Sequence, residues 1–460
     1  MIRFPQFKIR TAECRVGVVG LYASGKTVFL TSLINHLRDY GEGGFELGSD
    51  PKSPARLRKW RELKPDPGWD RFDYEAYRNA FVNKRWPRKT KDRSQFVCSF
   101  ERSDWPLTVA KLKLFDLPGE RVADAVMAAL KYDAWSDHIL HLVAKDQAYR
   151  ECCADYLALT GQDVPAAELL KAYKLALARL ALAYKPYISP STFLLDLQAR
   201  VNKRRSAEEM AFDFPAGLDM GSEFAPLPRQ ARDRQPVLAA EFAERYEAYR
   251  QRVVLPLVTT LRTCHALIVL VDVTMLLAGG VGMHDDNRQI LLDLLDVLNP
   301  GQTTLGRVLR GVSSVLLPHS WRPGWITRIA FVAPKLDQVH PDDRERMKTL
   351  LRRMIEKPAR DRDGLTCEFF NAAAVMSTEK FPTTDGQRWL RGMVLYNERG
   401  ERQPFGEMQK FRVSELPEDW PKDWPANHFS FPEVYPLIPP RRNCPPEQVN
   451  LDRILDFVMS

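Results

Sequence analysis

The chain has 460 residues, of which 45% are apolar and 27% are charged, and 67 basic and 59 acidic residues give a net charge of +8. These values exclude a disordered, collagen-like or multi-span membrane protein, and the length suggests two or three domains or one elaborated core. Seven cysteines without a CxxC pair indicate neither a disulfide framework nor a zinc site, and the N-terminus lacks the apolar core of a secretion signal. We therefore expect a cytoplasmic protein.

The first predicted elements are a strand, a glycine-rich loop and a helix. Residues 15–20 form a short apolar, β-branched run, as in a buried strand. The next segment, GLYASGKT at 20–27, fits the phosphate-loop pattern G-x-x-x-x-G-K-[ST], and apolar residues at helical spacing follow it. In such a loop the main-chain N–H groups and the lysine bind phosphates, and the Ser or Thr hydroxyl is a Mg²⁺ ligand. The residues expected to bind nucleotide are Gly20, Ala23, Ser24, Gly25, Lys26 and Thr27, with Lys26 also catalytic and Thr27 also a metal ligand.

An insertion separates this helix from the next expected site residues. Residues 42–84 are rich in Trp, Arg and Pro, and we expect them to form helices and loops over the site. The segment RWPRKT at 85–90 comes next, where GTPases place a threonine that completes the Mg²⁺ shell and senses the γ phosphate. Thr90 is the candidate for that role, and Arg88 is the candidate for a built-in arginine finger.

Two strand-like runs follow, at 96–102 and 107–115, and the turn signal between them predicts a β-hairpin. The second run ends in FDLPGE, in which the D-x-x-G pattern typical of GTPases begins at Asp116. This pattern predicts that Asp116 holds Mg²⁺, directly or through water, and that the Gly119 N–H binds the γ phosphate.

Glu120 occupies the position at which a small GTPase usually carries the glutamine that orients the attacking water. A carboxylate there could orient that water or accept its proton. Its charge would also repel the γ phosphate, so we expect hydrolysis to be slow without a partner.

The segment expected to recognise the base lies after a later strand. The PKLD sequence at 334–337 resembles the guanine-reading motif [NT]-K-x-D, with Pro334 in place of the usual Asn or Thr. In that motif the aspartate accepts two hydrogen bonds from guanine and the lysine stem covers the ring, whereas adenine offers no matching donors. Lys335 and Asp337 are therefore the expected base contacts.

A further strand-like run, EFFNAAAV at 368–375, is followed closely by small residues. Small side chains let a loop pass close to a base, so Ala374 is a further candidate for nucleotide contact. An ordinary strand end explains the same residues equally well.

Taken in order, the motifs GLYASGKT, RWPRKT, FDLPGE, LIVLVDV, APKLDQVH, AAAV and NLDRILDFVM extend over nearly the whole chain. Together they resemble the YcjX-like phosphate-loop NTPases, a bacterial stress-associated family. The D-x-P-G-E form and the closing L-D-x-x-L-x-F helix are the most specific parts of the resemblance. It implies a GTPase-like α/β domain with a large helical insertion, nucleotide binding with Mg²⁺, and a cytoplasmic protein with peripheral contact to a membrane.

The predicted fold class is α/β: a GTPase-like phosphate-loop domain with a mainly parallel sheet, a large α-helical insertion and an irregular C-terminal extension. The GTPase-like domain comprises residues 1–120 and 261–378, with 42–84 inserted before the first switch segment. Residues 121–260 form the helical insertion. Residues 379–460 form the extension, which ends in a helix.

Inside these domains several segments have clear patterns. Residues 168–183 and 238–254 are predicted helices, and the acidic stretch 206–228 between them is predicted to be irregular and mobile. The apolar run that starts at Ala266 contains Asp272 and two glycines, so it predicts a buried strand and a loop rather than a membrane span. The apolar side of the last helix is expected to dock on the core.

The predicted function is a nucleotide switch that binds GTP with Mg²⁺, hydrolyses it slowly and contacts a protein effector through the helical insertion. An ATP-using enzyme of the kinase type stays open because of Pro334. A nucleotide-stabilised scaffold also stays open, since basic clusters at 54–61, 83–93 and 202–206 could bind RNA or an anionic membrane. Such clusters are more often a solvated surface, so nucleic acid is not an expected partner of the switch.

Overall fold

The computed structural model describes residues 10–21, 24–40, 45, 47–48, 55–87, 93–182, 206–298, 326–360, 364–383, 386–396, 402–437 and 444–460. The chain divides into two compact units. The first unit contains the described residues of Met1–Pro118, Leu261–Val281 and Leu317–Ser460, and the second contains those of Gly119–Thr260 and Gly282–Leu316.

The first unit is built on an eight-stranded mixed sheet. Its strands are β1 Arg10–Gly20, β2 Leu57–Leu63, β3 Asp70–Arg71, β4 Ser94–Arg102, β5 Thr108–Asp116, β6 Ala266–Leu270, β7 Arg328–Ala333 and β8 Thr366–Asn371. The order across the sheet is β2-β4-β5-β1-β6-β7-β8, and β3 pairs with β4. Five neighbouring strands run parallel, namely β5, β1, β6, β7 and β8. Strand β4 forms an antiparallel hairpin with β5. The predicted α/β class and mainly parallel sheet are confirmed.

The helices, in chain order, cover both units. They are α1 Lys26–Arg38, α2 Tyr74–Val82, α3 Tyr132–Lys145, α4 Gln147–Thr160, α5 Ala166–Leu182, α6 Ala207–Asp213, α7 Arg229–Arg234, α8 Pro236–Tyr249, α9 Leu255–Arg262, α10 Val273–Gly279, α11 Val281–Leu298, α12 Arg344–Arg360 and α13 Leu451–Met459. Among the helices described, none combines the length and the apolar character needed to cross a bilayer.

The central strands are buried because parallel strands covered by helices have no polar face. Every residue of β6 is buried, and β1 contributes Val16 and Val18 to a core shared with α1 and α13. Since parallel strands point the same way, the carboxyl ends of β1, β5, β6, β7 and β8 lie at one edge of the sheet. Loops at that edge are where α/β folds bind ligands.

The insertion predicted to contain helices and loops also contains strands, so that prediction is wrong in part. Residues Leu57–Leu63 pair with β4 and extend the sheet, and Asp70–Arg71 pair with its other end. The sequence LRKWREL does not alternate strictly between apolar and polar residues. Such a sequence can still form β2, because β2 is an edge strand that its backbone pairing holds in place. Its charged side chains also protect the exposed edge against pairing with other chains.

The second unit is helical and has an aromatic centre. The Trp135 ring lies 5.4 Å from Phe224 and 5.1 Å from Tyr246, centroid to centroid, and all three side chains are buried. Residues 206–228, predicted to be irregular, contain α6, which Ser206 and Glu209 begin with a reciprocal capping box. The prediction missed this local signal.

The helix predicted over 238–254 is interrupted. After α8, residues Arg250–Val254 form a π-helical turn before α9 continues. Tyr249 donates a 2.6 Å hydrogen bond to Asp124, and Arg250 donates to the Met127 and Ala128 carbonyls. These bonds fix the 3₁₀ helix Gly119–Ala128 to the helical unit. A π turn changes the direction in which side chains leave a helix. The contacts of Tyr249 and Arg250 therefore go together with the interruption of the predicted helix.

The C-terminal extension is part of the first unit. It has long irregular stretches and a small antiparallel sheet of β9 Thr378–Lys380, β10 Trp389–Gly392 and β11 Gln409–Arg412. Two indole N–H groups attach it, since Trp420 donates to the Leu350 carbonyl and Trp424 to the Leu277 carbonyl. Helix α13 buries its apolar side in the core as predicted.

Candidate functional site

The phosphate loop joins the central strand β1 to α1. Gly25 has φ 76°, in the left-handed region that glycine tolerates best, and its carbonyl accepts from Phe29 N at 2.9 Å. A Cβ on Gly20 would collide with the Ser24 hydroxyl, so the loop closes this tightly only with glycine there. The first turn of α1 has no acidic residue and no side-chain cap. This helix terminus is therefore suited to an anion.

Lys26 and Asp116 meet at this edge of the sheet. The Lys26 Nζ donates to Asp116 Oδ1, and both side chains are buried. Ser94, at the start of the neighbouring strand, donates to the other Asp116 oxygen at 3.3 Å. Because β5 pairs in parallel with β1, the last residue of β5 lies beside the strand that leads into the loop.

Thr27 lies in the first turn of α1 and is buried. Its carbonyl accepts from Thr31 Oγ1 at 2.7 Å, which fixes the backbone of this turn. Among the residues that the structure describes, no three His, Cys, Asp or Glu side chains form a metal cluster. A Mg²⁺ ion that also binds phosphate and water needs few protein ligands, and Thr27 with Asp116 fits that type of site.

The PKLD turn after β7 lies next to the phosphate loop. Lys335 adopts a left-handed backbone with φ 62° and forms a 2.5 Å ion pair with Asp272. Its Cε lies 3.9 Å from the position that a Cβ on Gly25 would occupy. The lysine stem thus passes beside the phosphate loop, so the structure brings two separately predicted motifs together.

Asp337 is buried in the same turn. Burial raises the pKa of its carboxyl to about 7, against the effect of its own backbone N–H and of Lys335. The Asp337 carbonyl accepts a hydrogen bond from the Thr378 hydroxyl, and the Leu336 N–H donates to Ala372 O at 3.0 Å. Backbone N–H groups of Asp337 and Ser377 already donate to this carboxylate, and a ligand that brings further N–H groups would stabilise its ionised form.

The loop after β8 is tied to the phosphate-loop helix. Ser32 of α1 donates a 2.5 Å hydrogen bond to the carbonyl of Ala374, and Ala374 is half-buried. This bond holds the third predicted loop beside the other two.

Several predicted site residues are not placed. Ala23, Arg88 and Thr90 lie outside the described residues, as does the side chain of Glu120. Gly119 begins the 3₁₀ helix of the second unit. The roles of these five residues stay predictions.

The comparison with known protein families agrees with the sequence resemblance. The profile of the YcjX-like family, DUF463, matches residues 14–460. The chain belongs to the YcjX-like family. Over 420 residues it is 27% identical to a protein named Ras-like GTPase YcjX from Escherichia coli (strain K12), a match that covers 83% of this chain and 84% of that relative. A Shewanella oneidensis relative of the same name is 28% identical over 147 residues, which cover 27% of this chain and 30% of the relative.

Three side chains of this site in the YcjX-like chain were not predicted. Ser94 contacts Asp116, Asp272 contacts Lys335, and Thr378 contacts the backbone of Asp337. Each acts on another site residue, and each lies far from it in sequence. Only Asp272 has a local signal, an acidic residue between a buried strand and a helix, where it caps α10.

Proposed function

We propose that this chain is a Mg²⁺-dependent GTP-binding switch that hydrolyses GTP slowly. The observation that carries the proposal is the position of Lys335 beside Gly25, with the buried Asp337 two residues further along. This closeness supports the proposal that the turn at 334–337 reads the base of a nucleotide whose phosphates bind at residues 20–27. The names of the two relatives, both Ras-like GTPases, point the same way.

At the phosphate end, Lys26 would leave the Asp116 carboxylate and bind the phosphate oxygens of the nucleotide. Its ammonium is paired with Asp116, and a triphosphate would offer it oxygens of higher charge. Asp116, released from the lysine, would then hold Mg²⁺ together with the Thr27 hydroxyl. The bound ion would screen the phosphate charge and orient the β and γ groups.

At the base end, the Asp337 carboxylate would accept hydrogen bonds from N1–H and the 2-amino group of guanine. Adenine has neither donor, so adenine would add no hydrogen bond to offset the desolvation of the carboxylate. Pro334 lacks the side-chain amide or hydroxyl usual at its position, but the backbone of the turn is held by Thr378 and Ala372. This arrangement supports guanine over adenine.

Hydrolysis and signalling would involve residues beyond this geometry. We propose that Glu120 orients water, that Gly119 and Thr90 respond to the γ phosphate, and that Arg88 supplies positive charge. The 3₁₀ helix that starts at Gly119 is bonded into the helical unit through Asp124. We further propose that the helical unit contacts a protein effector in the cytoplasm, with the membrane surface as a peripheral contact.

The test is a competition titration with a fluorescent guanine nucleotide in the presence and absence of Mg²⁺. We expect GTP and GDP to displace the probe at concentrations at least about 100-fold lower than ATP, since unpaired polar groups penalise adenine strongly. Single-turnover measurements should show slow release of phosphate from GTP. Equal displacement by ATP would favour the ATP-using alternative, and guanine binding without any turnover would favour a nucleotide-stabilised scaffold.

A further inference from the structure

The base-recognition turn contains a backbone that needs outside support. Lys335 has φ 62°, a left-handed conformation that is uncommon for a residue with a long side chain. Such a backbone persists only where surrounding contacts fix it. The preceding residue, Pro334, has no side-chain hydrogen-bonding group and no N–H. Another residue must therefore hold the lysine in place.

Asp272 is placed to do so. It follows β6, the strand next to β7, and its side chain is fully buried. One carboxylate oxygen accepts from the Met275 N–H at 3.0 Å and from the Thr274 hydroxyl at 2.7 Å. The other oxygen lies 2.5 Å from Lys335 Nζ. The helix cap fixes the carboxylate on one side, which leaves its other side directed at the lysine.

This ion pair joins the fully buried Asp272 carboxylate to the half-buried Lys335 side chain. Burial works against the charged ammonium, yet the adjacent Asp272 carboxylate holds the pKa of Lys335 above its ordinary value. The stem of Lys335 then passes Gly25 of the phosphate loop. Thr274 extends the same network, because its hydroxyl lies 3.3 Å from Gln338 Oε1 on the far side of the turn.

We propose that Asp272 is a positioning residue that sets guanine selectivity by holding Lys335 and the following turn in the base-binding geometry. It supplies from β6 the support that the residue at position 334 cannot give. The inference rests on the proposed function, because it assigns Asp272 a role in recognising the same nucleotide.

The closing experiment separates the cap from the ion pair. Asn accepts a helix-capping hydrogen bond about as well as Asp, so Asp272→Asn keeps the cap of α10, while the oxygen that faces Lys335 becomes an amide NH2 that cannot accept from the ammonium. Asp73→Asn is the matched control, because Asp73 caps α2 by accepting from Ala76 N at 3.2 Å.

Dissociation constants for GDP and ADP and the melting temperature are measured for each variant. Asp272→Asn should weaken GDP at least about tenfold, the scale of one charge-assisted bond, with ADP affinity unchanged; its melting temperature should fall, because a buried ion pair is lost, but stay above the temperature of the titration. Asp73→Asn should behave as wild type.

A second variant tests whether the two residues act together. Lys335→Met keeps an apolar stem without the ammonium and should lower the GDP preference as Asp272→Asn does. The double variant should be no worse than Lys335→Met alone, because coupled residues are not additive. Additive losses, or an Asp272→Asn protein with the wild-type ratio of GDP to ADP affinity, would overturn the inference and leave GTP binding standing. A wild-type protein without guanine preference would overturn both.

Discussion

The two ends of the proposed nucleotide site are built in different ways. The phosphate end is built on a contiguous loop, 20–27, whose Lys26 pairs with Asp116 at the end of β5. The base end is assembled from the ends of β6, β7 and β8 and from the first residue of β9. A continuous motif can therefore be found in a sequence, whereas the residues that support an assembled end are found only when strand neighbours are known.

The two ends also differ in what holds them. Glycine conformations and the start of α1 define the phosphate end, so few side chains can disturb it. A network of side chains holds the base end, with Asp272 and Thr378 as its outer members. Substitutions at the two ends should thus separate the affinity for phosphate from the selectivity for the base.

The largest effect is expected at the phosphate end, for Lys26→Ala. The variant loses the only side-chain cation of the loop, so triphosphate affinity should fall at least about 100-fold for both guanine and adenine nucleotides. Calorimetric titration measures this loss. Removal of one partner also leaves the buried Asp116 without its ion pair, so the melting temperature is recorded alongside.

Lys111→Ala is the control for this variant, because Lys111 lies on the same strand as Asp116 and pairs with Glu13 at the surface. It should bind nucleotide as wild type does. Unchanged affinity in a folded Lys26→Ala protein would contradict the assignment of the phosphate loop.

A smaller effect is expected from pH, and only at the base end. The pKa of Asp337 is about 7 in the folded protein, and guanine N–H groups favour its ionised form. GDP affinity should therefore rise by up to about tenfold per pH unit as pH increases towards 7, and should level off above it. Dissociation constants measured between about pH 5.5 and pH 8 test this. Asp337→Asn, which cannot titrate, should remove the slope, and a slope that survives in this variant would assign it to another group.

The same carboxyl links pH to the stability of the nucleotide-free protein. The pKa of the Asp337 carboxyl is raised from its ordinary value of 3.8 to about 7. At a pH between these two values, the folded state holds a proton that the unfolded state has lost. The contribution of Asp337 to the free energy of unfolding is full below about pH 4 and is lost as pH rises through about 7. Urea unfolding of wild type and Asp337→Asn over this range should show a decline in wild type that the variant lacks.

The smallest effect is expected for Thr378→Val, which removes the hydroxyl that donates to the Asp337 carbonyl. An unsatisfied buried carbonyl costs about 1–3 kcal/mol, only part of which reaches the ligand, so GDP affinity should fall about 3- to 10-fold. Inorganic triphosphate, which has no base, should bind as before. Thr378→Ser keeps the hydroxyl and should restore GDP binding; an equal loss in the Ser variant would assign the effect to packing.

Much of the fold was predictable because strong patterns are local. The hairpin predicted over 96–102 and 107–115 is observed as β4 and β5, with every boundary within two residues of the prediction. The edge strand β2 was not predicted, since its charged sequence forms a strand only through pairing with β4. The π turn after α8 was missed for a similar reason, because Arg250 binds carbonyls more than 100 positions away.

The site residues also divide into those that a local pattern predicts and those that only the fold brings together. Lys26, Asp116, Lys335 and Asp337 belong to motifs whose spacing is visible in the sequence, and the structure brings each pair into one region. Asp272 was visible only as an acidic residue after a buried strand. Its pairing with Lys335 depends on β6 and β7 being neighbours, which no short pattern reveals.

The central claim is that one site binds the phosphate tail at residues 20–27 and the guanine base at Asp337. A crystal structure with Mg²⁺ and a non-hydrolysable GTP analogue tests it most directly. We predict that Lys26 Nζ contacts β and γ phosphate oxygens instead of Asp116, and that both Asp337 oxygens accept from guanine. A base bound away from Asp337, or a nucleotide elsewhere while Lys26 stays on Asp116, would contradict the account.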